Sequence, residues 1–479
     1  SDVCSSDLSD LVVNKLLNLS NGNLSAGGYN ITLVSNATSS ARMIQSNGVL
    51  LGNLALEQYV TESTFGHHYL SNPVSACTFS QLADDFPLGI SNNFPHVYFY
   101  DEANSSWDSP SSESESLAVG KGYTGYFRGE ITVDITGTPN NGDIPVSLTA
   151  DGSGWNFIGN PYPSPINWDS VTVPSGMAGA IYVWDHDPNP AVWGRYATYL
   201  DGVSTNNGSN VIPMMQSFFV YANANTTFTF ENNARIEDLS VTGTFYKQDE
   251  QEVSPLLKLK LSNDTYGTES VLRIKSKASK NYDELYDAVL LESGNPDGVE
   301  FSFVSADNKN IVINSVSELI EDQESYPLYS KIGKSGIHQI EIIEKENFNA
   351  EVTIQLRDLK EDIIVELNEP YVFSADDGEI EDRFELILAK KSATTSVLES
   401  EVVQNAIIYN TENTLFINNM RNLDISTYNI NVYNSIGQKL ISETNNSHSD
   451  NIELDISDLS SNSVYIVEIE GIYSKKITK

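Results

Sequence analysis

Leu257-Lys258-Leu259-Lys260-Leu261 places three leucines on one side of an extended chain and two lysines on the other, because side chains alternate with period two along a strand. The same period returns at Phe301/Phe303, Ile311/Ile313, Ile340/Ile342 and Val352/Ile354/Leu356. Repeated over so many short segments, it describes antiparallel sheet with one buried face. Residues 236–392 are therefore expected to form a β-sandwich, with short helical turns around Tyr282–Tyr286 and Ser315–Ile320.

Upstream, residues 61–235 hold all five tryptophans, Trp107, Trp155, Trp168, Trp184 and Trp193. Strand-like runs at His96–Tyr100, Gly122–Phe127, Ala180–Trp184 and Gln216–Tyr221 predict an aromatic-rich β-sandwich or jelly-roll-like domain. Residues 9–60 carry short apolar runs between Asn/Gly/Ser corners, among them Gly27-Gly28-Tyr29-Asn30-Ile31-Thr32-Leu33-Val34. Runs of that length fit either rungs of a parallel β-solenoid or an ordinary sheet edge. Downstream, Ser392-Ala393-Thr394-Thr395-Ser396 opens a small, polar linker over 393–404. Residues 405–479 then carry seven short strand patterns, the size of a small immunoglobulin-like sandwich. The expected fold class is all-β: tandem β-sandwich domains, a β-solenoid end or sheet edge at the N-terminus, and a small Ig-like C-terminal sandwich.

Composition narrows the function classes. The 479 residues include 65 acidic and 27 basic side chains, a net charge of −38. Phosphate recognition needs clustered Lys and Arg, so no nucleic acid is expected as a partner. No apolar run approaches the roughly 20 residues of a membrane-spanning helix. The charge reads as a solvated, self-repelling extracellular surface rather than as Ca²⁺ loops, since no repeated Asp-rich loop has Ca²⁺ spacing.

Ser1-Asp2-Val3-Cys4-Ser5-Ser6-Asp7-Leu8 resembles the in-frame translation of a common sequencing adapter. On that resemblance residues 1–8 are an artefact and the chain is a fragment lacking its true N-terminus. Cys77 is then the sole cysteine, and its setting between Ala76 and Thr78 suits a small buried hydrophobe.

In the C-terminal unit, Val432-Tyr433-Asn434-Ser435-Ile436-Gly437-Gln438-Lys439-Leu440 reads as a hairpin around Gly437. Leu454-Asp455-Ile456-Ser457-Asp458-Leu459 and Ser463-Val464-Tyr465-Ile466-Val467-Glu468-Ile469 follow, and Lys475-Lys476-Ile477-Thr478-Lys479 ends the chain. In order, spacing and terminal position these motifs resemble the type A C-terminal sorting domain of the type IX secretion system of the Bacteroidota. Asn462-Ser463 stands where the family usually has glycine, and Asn405-Ala406 where it commonly has Asn-Pro. The resemblance implies export across the outer membrane and an address at the cell surface. The implied partners are the secretion machinery, a sortase and an anionic lipopolysaccharide anchor. It carries Gly437, Leu459, Tyr465, Lys475, Lys476 and Lys479 over as the sorting signal. More loosely, Gly154–Pro163, Gln216–Val220, Tyr286-Asp287-Ala288 and Glu381-Asp382-Arg383-Phe384 resemble a module of large surface proteins from the same bacteria.

Candidate chemistry is sparse. Trp184 and Trp193 flank Asp185-His186-Asp187-Pro188, which marks them as candidate carbohydrate contacts in an exposed loop. Asp185 and Asp187 could lend hard oxygen ligands to Ca²⁺, against the plainer reading of a turn. His67-His68 cannot both point to one side of a strand. Glu381-Asp382-Arg383 is expected to supply a structural Arg–carboxylate contact at a strand start. No His-Glu-x-x-His, Gly-x-Ser-x-Gly or phosphate-cradling glycine loop occurs. The expected protein is no enzyme and needs no cofactor. It is a secreted, cell-surface, adhesin-like structural fragment, or alternatively a carbohydrate-binding accessory region that contacts extracellular polysaccharide.

Overall fold

The computed structural model describes residues 10–20, 22–60, 66–90, 94–127, 129–185, 194–237, 254–317, 323–348, 352–379, 383–390, 407–410, 413–418, 428–434, 438–445, 451–460, 463–469 and 473–478. The adapter-like residues 1–8 and the linker 393–404 lie outside them. The described chain is almost entirely β, without an α-helix. It divides into two compact units: Ser1–Lys258 with Thr268–Glu318 and Lys345–Asn347, and Leu259–Gly267 with Leu319–Glu344 and Phe348–Lys479.

The first unit opens on parallel coils. Leu11–Val13 pairs in parallel with Ile31–Leu33, which pairs in parallel with Leu54–Val60. On the other sides of the coil, Leu16–Leu17 pairs with Arg42–Met43 and Leu24–Ser25 with Leu50–Leu51, again in parallel. Partners lie 20 to 26 residues apart, one coil of chain. This is the solenoid alternative. Leu54 and Leu56 are wholly buried and Ile31 is 3 % exposed, whereas Leu11, opposite Ile31, is 43 % exposed. The far end is closed in a different way: Leu54–Val60 pairs antiparallel with the long strand Ile131–Pro139.

Two sheets follow. One orders Gly66–Leu70, Tyr123–Phe127, Val97–Asp101 and Ser106–Asp108; the other orders Trp155–Gly159, Ser217–Tyr221, Ile181–Asp185, Arg195–Leu200 and Val203–Thr205. Tyr69 and Tyr100 of the first sheet meet Phe157 and Phe219 of the second at 4.6 to 6.2 Å between ring centroids, mostly edge to face, a favoured aromatic geometry. The same core takes in Val271, Ala288, Val312 and Ile313. The expected boundary at 236 therefore falls inside the first unit: the strands Gly267–Ile274 and Asn310–Val316, parallel to each other, help cover the aromatic sheet. The physical reason is that the second sheet has apolar residues on both faces. Phe218 and Val220 serve one core, and Phe219 and Tyr182 the other. Ser315–Val316, expected in a helical turn, belongs to the strand Asn310–Val316. Around Tyr286 a single turn does form, closed by hydrogen bonds from Tyr286 N and Asp287 N to Asp283 O.

In the second unit, Ile363–Glu366, Val352–Asp358, Phe384–Lys390 and Gln323–Ile332 pair antiparallel in that order. Gly336–Glu346 pairs with Tyr371–Ala375. Residues 407–478 make two sheets of their own: Ile407–Asn410, Thr414–Asn418 and Asn451–Asp455 in one, and Lys439–Asn445, Tyr428–Asn434, Val464–Ile469 and Tyr473–Thr478 in the other. Between them lies a core of Ile408, Leu415, Ile417, Ile430, Val432, Ile452, Leu454, Ile456, Tyr465, Val467 and Ile469. Every member comes from this terminal segment, so the small sandwich has an apolar interior of its own.

Candidate functional site

The candidate carbohydrate and Ca²⁺ residues sit at one end of the second sheet. Trp184 lies in the strand Ile181–Asp185, half-buried, with its ring edge-on to Tyr196 at 5.1 Å. Gly194 lies so close that a Cβ there would come within 2.7 Å of the Trp184 indole, so part of the indole is backed by main chain. Asp185 pairs across the strands with Arg195 and receives its guanidinium at 3.6 Å. That cation competes with a metal for the carboxylate. Asp187 and Trp193 lie outside the described residues, as does His186. Among the described residues, no cluster of three or more His, Cys, Asp or Glu is arranged to hold a metal.

The conspicuous sequence motifs resolve into structural staples. Asn160 of Gly159-Asn160-Pro161-Tyr162 is fully buried, and its amide donates to the carbonyls of Ser164, Ile212 and Pro213. Tyr162 donates its hydroxyl to Gly142 O and Phe230 O. Arg235 donates to Ser164 Oγ, to the side-chain oxygens of Asn141 and Asn232, and to Met43 O in the solenoid. Its partners among the described residues are neutral oxygens, and burial pushes the Arg235 guanidinium down to about 10 against a small opposing effect of Tyr162 alongside. Neutral partners satisfy its donors but return less electrostatic energy than a carboxylate would.

Arg273, 1 % exposed, spans Ser315 Oγ, the carbonyls of Asp201 and Tyr286, and the Asp201 carboxylate at 3.5 Å. Next to Tyr286, the Asp287 carboxylate accepts from Ser315 N and Asp283 N, both at 2.7 Å. Those donors favour the charged form, yet burial outweighs them and raises its pKa to about 7. An Arg–carboxylate contact of Arg383 is present just before the strand Phe384–Lys390, with Asp358 at 2.8 Å; Glu381 and Asp382 lie outside the described residues. Cys77 is 1 % exposed in the first core, and burial raises its thiol to about 11, so it packs as a hydrophobe.

Of the sorting residues, Leu459 packs at the margin of the C-terminal core. Tyr465, 4 % exposed, donates its hydroxyl to Ser460 O at 3.1 Å. Lys475 and Lys476 lie in the strand Tyr473–Thr478, in register with Val467 and Ile466; this strand is the last of its sheet. Gly437 and Lys479 lie outside the described residues. On the neighbouring strands Glu468 gathers the Tyr433 hydroxyl at 2.7 Å and the Asn431 amide at 3.3 Å, and these bonds hold its carboxyl below the usual range.

One feature is absent from the expectations. His67 and His68 point to opposite faces: His68 is 9 % exposed and His67 is solvent-exposed. His67 pairs directly with Tyr126, whose N–H donates to His96 O, so neighbouring segments bring these rings into one cluster, with Tyr98 two residues beyond His96. Centroid distances are 5.5 Å for Phe94–His96, 6.0 Å for His96–Tyr126, 5.1 Å for Tyr126–His67 and 5.8 Å for His67–Tyr98. His67, Tyr126 and Tyr98 share the face that carries Tyr69 and Tyr100, because paired and alternate residues of a strand point the same way. Tyr69 and Tyr100 are covered by Phe157 and Phe219. In the rest of the cluster His96, Tyr98 and Tyr126 are half-buried, and Phe94 is 72 % exposed. The signal was in the sequence as aromatics at every second position, Phe94/His96/Tyr98/Tyr100 and His67/Tyr69.

No curated protein matches the chain. A family model does, over residues 26–388, from the solenoid coils to the strand Phe384–Lys390 and short of the C-terminal sandwich. The chain belongs to that family, described as Domain of unknown function (DUF8693).

Proposed function

We propose that residues 405–479 are an export-and-sorting domain of the type IX kind, and that the β-rich region before them is the cargo it displays. The observation that carries the reading is the independent core of the C-terminal sandwich, drawn wholly from Ile408 to Ile469. A module that a transport machine reads as an address must fold without its cargo, and this one has the interior to do so. The motif order from Val432 to Lys479 adds to it, as does the lysine-bearing edge strand Tyr473–Thr478. On this reading the protein is secreted and held at the outer-membrane exterior, with the secretion machinery, a sortase and an anionic lipopolysaccharide as partners. The cargo is a structural or adhesive surface protein, and no reaction is assigned to it.

Fusion of residues 397–479 to a periplasmic reporter in a type IX-competent host tests the proposal. Protease-accessible reporter on intact cells is the expected result. A reporter that stays periplasmic, while the fused domain is folded by circular dichroism, refutes it.

A further inference from the structure

We infer that His338 is an acid-sensitive latch: the strands Gly336–Glu346 and Tyr371–Ala375 of the second unit stay paired while its imidazole is neutral and part locally when it takes a proton. His338 is 1 % exposed, whereas Ile337 beside it is 43 % exposed. Its register partner is Phe373, whose ring lies 5.8 Å away at 30°. The next inward pair, Ile340 and Tyr371, is buried as well. The hydrogen bonds decide which form of the ring fits. Nδ1 lies 3.1 Å from Gly336 O. A carbonyl only accepts, so Nδ1 carries the proton of the neutral ring. Nε2 then keeps a lone pair and has no hydrogen-bond partner among the described residues. A second proton would make that atom a charged donor without an acceptor in a dry site, which costs far more than an idle lone pair.

Two charged groups act on the ring. The Arg383 guanidinium, 4.8 Å from the Phe373 ring centroid, opposes a second cation. The Asp264 carboxylate favours one, from an exposed turn at 263–266. Asp358 is taken up by Arg383 and the Tyr371 hydroxyl, and Glu341 of the same strand as His338 points to the other face. Burial is the largest effect and holds the imidazole below its ordinary 6.5. The opening is local because the pairing is short. Tyr371–Ala375 ends the strand order of its sheet and meets its partner over five residues, Gly336 to Ile340. Parting them also releases the Tyr371 hydroxyl from Asp358 and Ser374 O from Arg383, so the event reaches the buried ion pair. An open state in which His338 titrates near 6.5 binds more protons than the closed one. The pairing is therefore stable above that pH and weakens below it. This latch is independent of the sorting reading.

The test is hydrogen exchange of the full chain at pH 7.5 and pH 5.5, expressed as protection factors. In peptides covering 336–340 and 371–375, protection is expected to fall by roughly threefold to tenfold, the upper figure being the limit for one histidine a pH unit below its ordinary value. Leu54–Val60 of the first unit should keep its protection within about twofold. His338→Phe and His338→Gln cannot take up the proton and should abolish the fall. Glutamine can still donate to Gly336 O, so it serves if phenylalanine overpacks the site. A fall of less than about threefold in wild type would overturn the inference. So would an equal fall in Leu54–Val60, or an undiminished fall in either folded variant.

Discussion

Arg383→Leu should destabilise the second unit by about 3–5 kcal/mol, the usual result of removing one partner from a buried ion pair. The side chains of Arg383 and Asp358 are 3 % and 1 % exposed. The Asp358 carboxylate accepts from Arg383 Nη2 at 2.8 Å, from the Tyr371 hydroxyl at 2.8 Å, and from the backbone N–H groups of Lys360 and Glu361 at 2.9 and 3.1 Å. Leucine leaves the three neutral donors but no compensating charge, and the negative group remains out of water. Hydrogen exchange read on peptides from Val352–Asp358 and Phe384–Lys390 is the suitable assay, because a multi-unit chain has no single unfolding transition. Protection there should fall by roughly two to three and a half orders of magnitude. Asp358→Asn combined with Arg383→Leu should recover part of it, since the buried charge is gone while an amide oxygen can still accept from the three neutral donors. Protection in the single variant within tenfold of wild type would refute the reasoning, as would a double variant no better than the single.

Thr124 is 3 % exposed and its Oγ1 has no hydrogen-bond partner among the described residues; Thr124→Val should therefore raise the urea midpoint of the first unit by the equivalent of about 1 kcal/mol. Asp287 titrates near 7 when folded, above its ordinary value of 3.8, so its contribution to stability is complete below pH 4 and fades as pH rises towards 7. Asp287→Asn should flatten that part of the pH–stability curve, measured by urea titration from pH 4 to pH 8. Leu54→Ala, at a fully buried solenoid position, should cost about 2–5 kcal/mol. Leu11→Ala, two coils away and 43 % exposed, should cost about 1 kcal/mol or less, a contrast that hydrogen exchange on peptides from these strands would read directly.

Period-two patterns were legible where one face of a strand is dry. Leu257, Leu259 and Leu261 are wholly buried while Lys258 and Lys260 are half-buried, as their alternation requires. The C-terminal core was legible for the same reason, through Leu415/Ile417, Ile430/Val432 and Ile452/Leu454/Ile456. The boundary at 236 was misplaced because a composition shift reports surface charge, whereas the shared core of Phe157, Tyr182, Val271 and Ile313 is set by tertiary pairing. Asp358 as the partner of Arg383, 25 residues away, had no local signature either. The aromatic cluster around His67 escaped because alternation puts Tyr69 and His67 on one face without saying that only Tyr69 meets Phe157 and Phe219.

The sharing of one core across residue 236 has a consequence for the order in which the chain can mature. Arg235 reaches back 192 residues to Met43, and Phe157 and Phe219 remain half-sheathed until Ile313 has been made and placed. Closing such long loops is slow compared with forming local hairpins. A nascent chain halted anywhere before residue 313 would present sticky aromatic surface, and should depend on a holding chaperone for that interval.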